Sequence, residues 1–124
     1  MIKVLVVDDA PFIREIVKYS LKDLSDIKLV GEAEDGEDAL LQARLTRPDV
    51  ILMDLVLPKK NGVEASREIL DLFPEMKIIA FSTHDHESIV MQALEAGARS
   101  FLQKPFVTDD LLVAIRQAYK GGNS

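Results

Sequence analysis

Two aspartates, Asp8 and Asp9, follow directly on the apolar run IKVLVV, and a third, Asp54, sits within the equally apolar VILMDL. Farther along, Ser82 ends the run KIIAFS, Thr83 follows it, and Lys104-Pro105 follows SFLQ. Side chains alternate between the faces of a strand, so a strand that stops at Asp8-Asp9 presents both carboxylates from its tip. Like charges at that spacing raise each other's pKa and call for a cation among them. Three carboxylates, a hydroxyl and an ammonium gathered at one place would suit a hard dication and a phosphoryl group. Magnesium takes a few carboxylate oxygens and keeps several waters. Phosphoryl transfer in turn needs in-line positioning and charge neutralisation more than covalent help from the protein.

These residues can meet only if the chain brings their segments side by side. Five apolar runs of strand length stand out, at 2–7, 27–33, 50–55, 77–82 and 100–103. Several are nearly continuous, as a parallel sheet covered on both faces requires. Helical spacing fills the intervals: Phe12, Ile13, Ile16, Val17, Leu21 and Leu24 form one stripe, and Leu111, Leu112, Ile115 and Tyr119 another. Pro11 suits a first helical turn, Pro48 and Pro74 stop helices, and Gly97 reads as a left-handed C-cap. Asn61 and Thr108 are candidate N-caps, and Gly62 serves a turn. The pattern is a strand and a helix repeated five times, an α/β chain with a single doubly wound parallel sheet. In that architecture ligands bind beyond the carboxyl ends of the strands. Four of the five strands deliver polar groups there, and only the second brings nothing obvious.

Composition narrows the partners. A chain of 124 residues fits one core, and 48% apolar with 29% charged residues is an ordinary globular balance. A net charge of -6 argues against nucleic acid and anionic membranes and favours protein partners and small cations. No apolar run is long enough to span a membrane. The absence of cysteine removes thiol nucleophiles and fits a reducing, cytoplasmic setting. The acidic run GEAEDGED, 31–38, reads as a solvated face or turn. His84 and His86 with Asp85 between them are too few for a structural zinc site.

Taken singly, each piece has a plainer reading: Ser82 and Thr83 as strand-end hydroxyls, Lys104 as a surface lysine, Phe101 as core. Together, VDD near the N-terminus, MDLVLPKKNG mid-chain, FST after the fourth strand and QKPF after the fifth resemble the receiver domain of bacterial two-component response regulators, the CheY-like family. The likeness covers essentially the whole chain, in order and at the right spacing. It implies a flavodoxin/CheY-like sheet of strand order 2-1-3-4-5, with a receiver domain at 1–120 and a polar tail at 121–124. It also implies a role for each matching position. Asp54 would accept the phosphoryl group. Asp9 would ligate Mg2+ directly, Asp8 mainly through water, and Asp54 and the backbone carbonyl of Val56 would be further ligands, with Mn2+ a possible substitute.

Lys104, Ser82 and Thr83 would contact the phosphate, and the Lys104 ammonium would find its best partner only once Asp54 is modified. Ser82 and Phe101 would form the switch, and the bond before Pro105 would be cis. Val56 and His84 occupy positions that vary in the family, and Thr83 replaces a smaller residue common there. The implied partners are a sensor histidine kinase or histidine phosphotransfer protein, and a downstream protein target on the face of helix 4, strand 5 and helix 5. The domain itself would touch neither nucleic acid nor membrane and would be a monomer or a phosphorylation-dependent dimer. It would not be a turnover enzyme. Other classes fit less well. A flavin carrier of related topology wants a phosphate-cradling loop where DDAPF stands, and a Mg-dependent phosphohydrolase would carry its nucleophile after the first strand and add a cap. The chain could also be the receiver of a larger DNA-binding or enzymatic regulator.

Overall fold

The computed structural model describes residues 1–83 and 87–121. Strands and helices alternate along them: β1 (Ile2–Val7), α1 (Pro11–Leu21), β2 (Ile27–Ala33), α2 (Gly36–Thr46), β3 (Val50–Asp54), α3 (Gly62–Leu72), β4 (Lys77–Thr83), α4 (Glu87–Glu95), β5 (Ser100–Lys104) and α5 (Thr108–Tyr119). The strands are all parallel and lie in the order β2-β1-β3-β4-β5, as the family resemblance implies. Strand limits differ from the sequence reading by one residue in three places: β3 stops at Asp54, β4 takes in Thr83 and β5 takes in Lys104.

Alternation along each strand divides the apolar residues between two cores. Val4, Val6, Leu52, Ile79, Phe81 and Leu102 face α1 and α5, where Val17, Leu21, Leu111 and Ile115 meet them. Leu5, Val7, Ile51, Met53, Ile78 and Ala80 face the other side and pack with residues of α2, α3 and α4, among them Ala39, Ala43, Ile69 and Ala93. Each fully buried aliphatic or aromatic side chain contributes about 1.5–3 kcal/mol relative to exposure. The continuous apolar runs are therefore what two covered faces demand.

Several sequence expectations change. Phe12 is 72% exposed, because α1 buries Val17 and Leu21 and packs Ile13 beside them, and a residue one place before Ile13 is turned away from that stripe. Leu24 lies beyond the end of α1 but still packs against the core. In α5 the buried positions are Leu111, Ile115 and Ala118, so Tyr119 rotates outward. Asn61 caps α3 as expected, its side chain accepting the Glu64 N–H at 2.9 Å. Thr108 is the first residue of α5 and not its cap, Val107 holding that place, and the Thr108 hydroxyl instead meets that of Ser20 at 3.1 Å.

The acidic run spans the turn from β2 to α2, with Glu34 and Glu37 exposed, but it is not solvated throughout. Its first residues belong to β2, and the buried Asp35 caps α2 by accepting the Asp38 N–H at 2.7 Å. Gly62 does more than turn the chain, since a Cβ there would lie 2.1 Å from the Asp54 carbonyl oxygen. Only glycine lets α3 start this close behind the end of β3. Gly97, at φ +116°, follows α4 as the sequence suggests. Among the described residues no helix is long and apolar enough to cross a membrane.

Candidate functional site

The polar residues at the carboxyl ends of the strands inherit the strand alternation. Asp8 continues the parity of Val4 and Val6, Asp54 that of Leu52, and Lys104 that of Leu102, which places all three on the α1/α5 side of the sheet edge. Phe81, the register partner of Asp54, lies on the same side. Ser82 has the parity of Ile78 and Ala80, and Phe101 packs against the same core as they do. These two residues therefore share the opposite side, with Ser82 buried and Phe101 partly so. Thr83 is the register partner of Lys104, and Gln103 that of Ser82.

Asp8 is 1% exposed and held at several atoms. Its N–H donates to the Ala33 carbonyl at 3.0 Å, extending the pairing of β1 with β2. One carboxylate oxygen accepts the Ala10 N–H at 2.9 Å, and the other lies 2.6 Å from Lys104 Nζ. Asp54 is 5% exposed, accepts the Val56 N–H at 3.2 Å on Oδ1 and lies 3.4 Å from Lys104 Nζ through Oδ2. Asp9 is exposed at the rim. Ligating oxygens of Asp8, Asp9 and Asp54 all lie within 4.8 Å of one another. Burial pushes the Asp54 carboxyl up to about 6, the nearby Asp8 charge adds to the rise, and the Lys104 ammonium opposes it.

The expectation that Lys104 waits for a modified Asp54 needs correction. Its ammonium already pairs with Asp8 and reaches toward Asp54, because two buried carboxylates attract a cation within range. The ammonium also sits 5.1 Å from the centre of the Phe81 ring, and that ring stacks on Phe106 at 5.4 Å. The bond between Lys104 and Pro105 is cis. Val56, whose carbonyl is a candidate ligand, carries a side chain that is half exposed.

The structure thus brings together Asp8, Asp9, Asp54 and Lys104 and sets Ser82 and Phe101 behind them across the sheet. His84 and His86, read as too few for zinc, lie outside the described residues, as do residues 122–124 of the expected tail. Sequence reasoning missed Phe81, taken only as strand, and Arg14, a basic residue in an otherwise apolar turn of α1 close to the acidic tip. Among the described residues the donor set is all oxygen, anionic and in excess over Lys104. Such a set fits a hard dication of the magnesium class and not a soft metal.

Residues 4–116 match the family model of the response regulator receiver domain. The chain is 39% identical over 120 residues to YxjL of Bacillus subtilis, an uncharacterized transcriptional regulatory protein, covering 97% of this chain and 55% of that protein. It is 38% identical over 120 residues to the chemotaxis protein CheY of Listeria monocytogenes, covering 97% of this chain and 100% of that one. The crystal structure of the response regulator domain of Thermotoga maritima CheB superposes with a TM-score of 0.88 at 37% identity, over 97% of both chains. The chain belongs to the receiver domain family of two-component response regulators, and its fold is the CheY-like one. It spans about half the length of curated transcriptional regulators that it matches, and the whole of CheY.

Proposed function

We propose that this receiver is a phosphorylation-controlled switch whose acceptor is Asp54. The observation that carries the reading is the position of Asp54, buried at the carboxyl edge of β3 with Asp8 and Lys104 beside it. In the transfer, a carboxylate oxygen of Asp54 forms a bond to phosphorus. The bond from phosphorus to the donor's histidine nitrogen breaks, and its electron pair leaves with the nitrogen. Asp54 must be ionised to attack; burial and the Asp8 charge oppose this, and the Lys104 ammonium favours it.

Asp8, Asp9, Asp54 and the Val56 carbonyl would hold Mg2+, or Mn2+ in its place. When bound there, the dication supplies positive charge that offsets the carboxylates against an anionic donor. Lys104 is within reach of Asp54 and would pair with a phosphoryl oxygen as a point charge. Ser82, with Thr83 beside it, would be drawn toward the new phosphate. Phe101, on the same side of the sheet as Ser82, would repack behind it.

The donor would be a histidine kinase or phosphotransfer protein, and the output face would be α4, β5 and α5. Hydrolysis of the acyl phosphate by water resets the switch, so the chain turns over only its own modification. A second reading, that the chain is the receiver of a longer regulator, draws on the half-length match to transcriptional regulators. Incubation with acetyl phosphate and Mg2+ should add one labile phosphoryl group by intact mass, and Asp54→Asn should abolish it. Equal labelling of that variant would reject Asp54 as the acceptor.

A further inference from the structure

Arg14 lies in the first turns of α1, and its side chain is only 16% exposed although it carries a charge. Its guanidinium makes two bonds that differ in direction and partner. Nη1 donates to the backbone carbonyl of Asp8 at 2.6 Å, and Nε donates to Oε1 of Glu32 on β2 at 3.1 Å. The other carboxylate oxygen of Glu32 is 3.0 Å from Lys18, so the acceptor is itself held from α1. Glu32 pairs in register with Val6, two residues before Asp8, and Ala33 next to it accepts the Asp8 N–H.

Asp8 is thus gripped on both sides of its Cα, by β2 through its N–H and by Arg14 through its carbonyl. The peptide unit is planar, so holding that carbonyl also holds the N–H and Cα of Asp9. Without such a grip, repulsion among Asp8, Asp9 and Asp54 would spread the tip of β1.

We propose that Arg14 is a positioning residue for the dication site: its planar fork spans the Asp8 carbonyl and the Glu32 carboxylate and sets the Asp8-Asp9 peptide at the angle from which both carboxylates meet one ion. The inference rests on the assignment of Asp8 and Asp9 as ligands made above. A lysine at this position would keep the charge but not the fork, because a single ammonium cannot reproduce two fixed donors aimed at partners on different elements.

The charge of Arg14 and its geometry predict opposite effects on metal binding. As a nearby cation alone, Arg14 would repel the ion, and its removal would tighten binding. As a positioning group, its removal loosens the ligands and weakens binding.

Mn2+ titration of the unphosphorylated chain, read by electron paramagnetic resonance of the free ion, separates the two. Arg14→Lys and Arg14→Ala should each raise Kd for Mn2+ by about tenfold, the size of effect seen when groups orienting metal ligands are removed. Glu32→Gln, which keeps an acceptor for Nε, should stay within about twofold of the unmodified chain. The thermal midpoint of Arg14→Lys without metal should be close to that of the unmodified chain, so that the loss reports the site and not the fold. Arg14→Lys binding Mn2+ as well as the unmodified chain, or either Arg14 variant binding it more tightly, would overturn the proposal. Asp9→Ala serves as the reference: unchanged affinity in that variant would sink the ligand assignment itself. Weakened binding in Asp9→Ala beside an unaffected Arg14→Lys would remove only the role given to Arg14.

Discussion

At the amino-terminal end of the sheet, Arg116 on α5 meets Asp26 just before β2 through two hydrogen bonds of 2.9 and 3.1 Å, with both side chains nearly half exposed. At the carboxyl end, Lys104 faces the buried Asp8 and Asp54, with Asp9 close by. The first arrangement is one cation to one carboxylate, in bidentate geometry and open to solvent. It holds Asp26 below the usual carboxylate range through the Arg116 hydrogen bond and asks for nothing more. The second leaves carboxylate charge in excess where water is scarce, and Asp54 is pushed up to about 6 as a result. Charges arranged for the fold are paired and solvated. Charges arranged for a ligand are left short of a partner.

The largest test of this contrast is pH. A carboxyl whose folded pKa lies above its unfolded value gives stability that is fully present below the unfolded pKa and lost as pH rises through the folded one. For Asp54 that window runs from about 4, the ordinary aspartate value, up to about 6. Without a dication, urea unfolding should show stability falling across this window by as much as about 3 kcal/mol. Asp54→Asn should remove most of the slope and be the more stable protein at pH 8. A slope that survives in Asp54→Asn would mean that the strain belongs to other groups.

Next in size is Lys104. Its removal leaves Asp8 and Asp54 buried without their cation, so Lys104→Ala should lower stability at pH 8 in the absence of dications by about 2 kcal/mol. The deficit should shrink toward pH 5 as Asp54 takes up a proton. A loss of the same size at both pH values would assign the effect to packing of the lysine stem on Phe81, whose ring lies 5.1 Å from the ammonium.

The smallest effect belongs to the opposite end. Asp26→Asn should barely change the midpoint near neutral pH, and what change there is should disappear at high salt. The sign of the pH dependence is reversed here. Stability from Asp26 is present above its unfolded value of about 4 and lost as pH falls through its depressed folded one. Asp26→Asn should therefore flatten only the acid limb of the stability curve. A salt-resistant loss at neutral pH would erase the distinction between the two ends.

The order of strands and helices, their near limits and the residues at the strand tips were legible in the sequence. Each is written in a local pattern: continuous apolar runs for strands covered on both faces, a period of 3.6 for helices, and proline, asparagine and glycine at the breaks. Asp8, Asp9, Asp54, Ser82 and Lys104 could be placed at one mouth because parallel strands joined by helices present their carboxyl ends on one edge. The tertiary structure alone decided which polar groups found which partners. Lys104 and Asp8 are 96 residues apart, and their pairing depends on two strands that flank β3 and β4 from opposite sides. Arg14 and Glu32 meet only because α1 crosses the end of β2, and Asp35 leaves solvent because α2 begins against the loop after β3. Hydrophobic burial follows a period that any short window of sequence displays. Hydrogen bonds and ion pairs are short-ranged and directional, so their partners are set by register and helix placement, which no local window contains.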